Sequence, residues 1–127
     1  MIVKILLVLA GLMGAAGMAL AAAAVHAAPG AALDSAAYML LFHAVAVIAG
    51  VALLQYGLLW RPLSLIVLAA WVLGAALFAG DLGMRAFAGH RLFPLAAPSG
   101  GTILIAAWLT FAGAAICALL RKSGVQS

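Results

Sequence analysis

The stretch AAAAVHAAPG, residues 21–30, decides how many helices this chain has. Val25-His26-Ala27 has the small-x-small form that signal peptidase accepts, and on that reading everything before it is a discarded leader. On the other reading, His26 and the Pro29-Gly30 turn signal join two retained membrane helices. The run ahead of it carries only Lys4 near its start, and it is longer than the 7–15 apolar residues usual for a signal peptide.

The rest of the chain sets the frame for that choice. Of 127 residues, 70% are hydrophobic and 6% charged, against about a quarter charged in a soluble domain. A spanning helix needs roughly 20 consecutive apolar residues. Four stretches meet this, at about 2–24, 37–59, 63–84 and 99–120. The implied fold class is an all-α membrane protein, a compact bundle of four transmembrane helices forming one integral domain over residues 1–127. No length is left for a soluble domain.

Composition also excludes functions. The net charge of +4 comes from Lys4, Arg61, Arg85, Arg91, Arg121 and Lys122, placed singly or in one pair at segment ends. That is the placement of topology signals, not of a face that tracks phosphates, so nucleic acid is not a partner. Cys117 stands alone inside the last apolar run, which rules out a disulfide framework and a CxxC knuckle and leaves it as a small packing residue. The only acids are Asp34 and Asp81. With no paired carboxylates, no nucleophile beside a base and no phosphate-cradling glycine loop, the sequence points away from an enzyme, and it implies no cofactor and no dedicated metal site.

The connections are short. Asp34-Ser35 is a candidate N-cap for the second helix, Arg61-Pro62 leaves almost no loop between the second and third, and RAFAGHRLFPLAAPSGG (85–101) forms the longest link. By this path Lys4, Arg61, Arg121 and Lys122 fall on one side of the membrane and Arg85 and Arg91 on the other, which places both termini in the cytoplasm. Small-residue stripes (Ala10, Gly14, Gly17 and Ala21; Ala46, Gly50 and Gly57; Ala106, Thr110, Gly113 and Cys117) suit close helix packing in lipid.

Three polar residues, His43, Asp81 and Arg85, form a candidate intramembrane cluster. Asp81 is costly in a bilayer, and Arg85 at i+4 shares its helix face, which makes the two either a structural ion pair or part of a proton or ion relay. His43 stands alone in an apolar helix. Counted back from the Arg61-Pro62 turn at 1.5 Å per residue, His43 and Asp81 lie about 28 and 29 Å along their helices. A His43–Asp81 hydrogen bond with Arg85 completing the set is therefore expected. Tyr38, near the start of the same helix, and the loop residues His26 and His90 form a secondary set. Imidazoles at 26, 43 and 90 suit haem or copper, but no two of them are spaced i, i+3 or i+4.

Four segments resemble the YgdD-like family of small bacterial inner-membrane proteins, a domain of unknown function with four predicted helices. They are Val25-His26-Ala27, Tyr38-Met39-Leu40-Leu41-Phe42-His43-Ala44, Phe78-Ala79-Gly80-Asp81 and Pro98-Ser99-Gly100-Gly101. The last two are the more specific, and the likeness covers nearly the whole chain. It implies a multi-pass location in the bacterial inner (plasma) membrane and a retained first helix, with AAAAVHAAPG as the outer turn of a hairpin. It brings no established activity. The resulting expectation is a non-enzymatic structural or accessory subunit whose partners are the lipid bilayer and either another membrane protein or a second copy. The alternatives are a small transporter or ion or proton conductor using Asp81, Arg85 and His43, and a haem or copper site.

The choice at residues 21–30 is open to direct measurement. The intact mass of the membrane-extracted protein is expected to include Lys4 to His26. A mature species beginning at Ala28 would overturn the four-helix reading.

Overall fold

In a computed structural model that describes residues 1–27 and 31–123, the chain forms four α-helices: α1 (Ile2–His26), α2 (Ala31–Gln55), α3 (Arg61–Ala88) and α4 (Ala96–Ser123). All four are long and apolar enough to cross a membrane. The Pro29-Gly30 turn lies outside the described residues. In lipid the backbone must satisfy its own hydrogen bonds, and these uninterrupted helices do so over each apolar stretch.

The helix ends differ from the sequence expectation for identifiable reasons. α2 stops at Gln55 rather than near residue 59 because Gly57 adopts φ +71°. The Gly57 N–H bonds the Leu54 carbonyl at 3.2 Å and the Leu58 N–H bonds that of Leu53 at 3.1 Å, the paired bonds of a Schellman cap. Gly57 is thus a helix stop and not the third member of a packing stripe. α2 also begins earlier than expected, which puts Asp34 in its first turn instead of at a cap. There its charge faces the positive end of the helix dipole. α3 opens on Arg61 with Pro62 in its first turn, where a missing N–H does no harm. It runs on to Ala88 and ends at Gly89, φ +73°. α4 begins at Ala96, after Leu95 at φ +67°, and Pro98 falls in its first turn, where N–H groups have no acceptor within the helix.

Packing follows chain order. α1 lies on α2, α2 on α3 and α3 on α4, with a smaller contact between α1 and α3. Among the described residues, the backbones of α2 and α4 do not approach, and neither do those of α1 and α4. The most apolar windows of α2 and α3 are accordingly 44% and 39% buried, against 22% and 17% for α1 and α4. The core runs through Met13, Leu40, Val47, Val51, Leu68 and Trp71.

Glycine sets the helix spacing at three places. A Cβ on Gly17 of α1 would meet Leu41 Cγ at 2.8 Å, and one on Gly50 of α2 would meet Leu68 Cδ2 at 2.6 Å. The tightest approach is between α3 and α4. There a Cβ on Gly100 would lie 2.7 Å from both the Gly74 carbonyl oxygen and the Phe78 nitrogen. The two backbones touch because neither carries a side chain at the crossing, the arrangement that lets membrane helices gain van der Waals contact without a hydrophobic drive. The stripe expected on α4 is not the line of closest contact, since Thr110, Gly113 and Cys117 are only half-buried. Ala106 is exposed and Gly113 meets nothing within 4 Å, whereas Ala97, Gly100, Leu104, Ala107 and Ala114 are buried.

These contacts separate glycines that are needed from glycines that are not. Gly100→Ala is expected to cost about 1–3 kcal/mol, since backbone atoms cannot yield as a flexible side chain does. Gly14, with open space around its Cβ position, should tolerate alanine with no loss and a gain of up to about 1 kcal/mol. Unfolding in mixed detergent micelles measures both.

Candidate functional site

The depth of each polar residue follows from the interface at the start of α3. Tyr56, Trp60 and Arg61 cluster at the α2–α3 turn, the residue types that sit at headgroup level. At 1.5 Å per residue from Arg61, Trp71 lies about 15 Å in and Asp81 about 30 Å. Hydrocarbon is about 30 Å thick. Trp71 is therefore at the midplane and Asp81 at the far edge.

His43 belongs with Trp71. Their ring centroids are 6.4 Å apart, so His43 sits near the middle of the membrane, about 15 Å from the level of Asp81. The expected His43–Asp81 bond is not the one the chain makes. Residues 56–59 are not helix, contrary to the sequence expectation. The stop at Gly57 removes that rise, and α2 slides relative to α3 by several residues.

Both imidazole nitrogens of His43 are engaged. Nδ1–H donates to the Met39 carbonyl at 2.8 Å, which leaves Nε2 as an acceptor, and the Trp108 indole N–H of α4 donates to it at 3.3 Å. The pattern requires the neutral, Nδ1-protonated tautomer. It also links two helices whose backbones never meet. Around this bond Phe42, Trp71, Trp108 and Phe111 form an aromatic group, with Trp71 and Trp108 centroids 4.4 Å apart and Trp71 and Phe111 5.3 Å apart. Among the described residues, the fully buried Trp71 has no acceptor for its Nε1–H.

Asp81 is fully buried at the other level. Its carboxylate pairs with the Arg85 guanidinium one turn on and accepts the Leu92 backbone N–H at 2.9 Å. The Ala97 backbone N–H, in the first turn of α4, also reaches it. One side chain thus gathers the end of α3, the 89–95 link and the start of α4. The sequence paired Asp81 with Arg85 correctly and missed the link. The clue is an acid about two turns before the end of α3, ahead of a link that leads into a helix whose first N–H groups have no partner.

The remaining candidates stand apart. His26 is exposed at the end of α1. His90 is exposed in the 89–95 link, and its Nδ1–H donates to the Arg91 carbonyl at 3.0 Å. Tyr38 is 73% exposed on α2. Among the described residues, no three of His, Cys, Asp or Glu converge as a metal site.

Two grooves open sideways. One of about 950 Å³ lies between α2 and α4, lined by Tyr38, Phe42, His43, Ala49, Leu104 and Trp108 among others. A second of about 660 Å³ lies between α1 and α3, with Met13, Ala16, Gly80, Gly83, Met84 and Phe87 in its walls. Both linings are almost wholly apolar. The first exists because α4 leans on α3 and not on α2, so that one indole spans the gap.

Compared with family models, with characterised proteins and with solved structures, the chain matches none.

The His43–Trp108 bond can be isolated by a double-mutant cycle of His43→Ala with Trp108→Phe, which keeps the ring and deletes the donor. A coupling of about 0.6–1.7 kcal/mol is expected from interhelical bonds in membranes. The cycle of His43→Ala with Asp81→Asn should be additive, as for residues that share no partner.

Proposed function

We propose that this chain is a non-enzymatic structural or accessory subunit of the bacterial inner membrane, with both termini cytoplasmic, and that it belongs with the YgdD-like proteins. The observation that carries the reading is how the polar groups within the spans are engaged. His43 uses both nitrogens to hold α4 and its own backbone. Asp81 binds Arg85, Leu92 and the start of α4. Between the two levels the interior is Trp71, Ala75 and Ala79, all buried. A conductor would need His43, Asp81 and Arg85 around shared water, whereas here His43 is engaged at one level and the Asp81–Arg85 pair at another.

Two features support the family placement and the orientation. The more specific segments of the likeness, Phe78–Asp81 and Pro98–Gly101, meet in space: Gly100 lies against the Phe78 backbone and Asp81 reaches Ala97 beside Pro98. A likeness concentrated where α3 and α4 lock is one of architecture. Lys4, Arg61 and Arg121 sit at the end of the bundle that holds the termini, with Arg85 and Arg91 at the other, the bias that keeps the first end in the cytoplasm.

Lateral association is the activity such a subunit would have, and two apolar grooves facing lipid are the surfaces for it. Native mass spectrometry after extraction in mild detergent is expected to show a species of defined stoichiometry containing a second chain, either another membrane protein or a copy of this one. A protein that is always monomeric and alone overturns the proposal. So does proton or ion flux in reconstituted liposomes that Asp81→Asn abolishes.

A further inference from the structure

The two ends of the bundle differ in more than the number of cations. Both acidic side chains of the chain lie toward the end formed by the α1–α2 connection and the 89–95 link: Asp34 in the first turn of α2, and Asp81 one turn before Arg85 in α3. Asp81 is paired with Arg85 there. The end formed by the α2–α3 turn and the outer turns of α1 and α4 carries Lys4, Arg61, Arg121 and Lys122 with no Asp or Glu side chain to balance them.

One of these cations lies over an indole, and a second is that indole's neighbour in the chain. Arg121, exposed near the end of α4, places Cζ 6.0 Å from the Trp60 ring centroid. Arg61, also exposed, follows Trp60 directly as the first residue of α3. The α2–α3 turn is tied to α4 by its backbone, since the Trp60 N–H reaches the Ala114 carbonyl at 3.4 Å. The Trp60 carbonyl is held in turn by the Ser64 hydroxyl at 2.8 Å, and Ser64 is buried. Trp60 is half-buried. The Trp60 backbone is thus fixed at headgroup depth, with the Arg121 guanidinium over its indole and Arg61 next to it in the chain. Lys4 is on α1, which makes no backbone contact with α4.

We infer that Arg61, Arg121 and Trp60 form a binding site for the headgroup phosphate of an anionic phospholipid. A guanidinium matches a phosphate with two parallel N–H donors, which a lysine cannot do. An indole at the interface lies between the phosphate and the acyl chains. Both helices carry exposed apolar side chains on the hydrocarbon side of these arginines, Ile66 on α3 and Ile116 on α4. The occupant is a lipid and not a soluble anion because the site sits at the rim of a membrane-spanning surface and opens onto its apolar sides. The general attraction of anionic lipid for basic residues is roughly fivefold per cation. A site differs from that general field in depending on which cations are removed.

Native mass spectrometry of the detergent-solubilised full chain, titrated with phosphatidylglycerol or with phosphatidylcholine, tests the assignment. Preferential retention of phosphatidylglycerol is expected, reduced roughly fivefold by Arg121→Gln and at least tenfold by Arg61→Gln with Arg121→Gln. Lys4→Gln should leave most of the preference intact. Replacing both arginines by lysine, which keeps the charge and the fold but loses the paired donors, should give an intermediate value. Equal retention of the two lipids overturns the inference. A loss with Lys4→Gln as large as that with Arg121→Gln does so as well, since it reduces the effect to net charge. Phosphatidylglycerol displaced by millimolar inorganic phosphate as readily as by its own kind would assign the site to a free anion and equally overturn it.

Discussion

Lipid offers no hydrogen bonds, and the whole bundle is arranged around that fact at Asp81. A buried carboxylate at the edge of the hydrocarbon must collect donors from protein. This one takes them from Arg85, from the 89–95 link and from the first turn of α4. The link is thereby drawn down onto α3, and α4 starts where it can descend directly against α3. Gly74 and Gly100 then allow the two backbones to touch. The ion pair and the glycine crossing act together: the first fixes where α4 enters, the second how closely it runs.

Committing α4 to α3 has an effect elsewhere in the bundle. α2 is left without a backbone neighbour on that side, and a groove opens which only the Trp108 indole crosses to reach His43. The bond is weak by the standards of the glycine contact, but it lies at the midplane where water does not compete. α1, resting on α2 with a lighter contact to α3, leaves a second groove on its own flank. The bundle is thus two close helix pairs, α1–α2 and α3–α4, joined along α2 and α3.

How much of this could be read from residues depends on the range of the interaction. The four spans are a matter of apolar length and were legible at once. So was the Asp81–Arg85 pair, because i+4 spacing on a helix is local. The helix stop at Gly57 was legible in principle, since a glycine ahead of Trp60-Arg61-Pro62 is where a C-cap belongs, but it was counted as a packing residue. That single misreading carried His43 to the wrong depth and gave it the wrong partner. Trp108 as the true partner is a contact across 65 residues between helices that are not neighbours. An indole and an imidazole both stranded at mid-span hint at each other, yet which face of α4 turns inward is set by Gly100, and alanine-rich sequence presents more than one candidate face.

The same pairing has an electrical consequence. His43, donating from Nδ1 and accepting at Nε2, is neutral, and Asp81 and Arg85 lie one turn apart on the same helix with opposite charges. The work a transmembrane voltage does on a protein scales with the net charge carried through the field. A neutral imidazole and a pair that moves as a unit carry none. Tilting or shifting α2 and α3 therefore carries no net charge of these three side chains through the field.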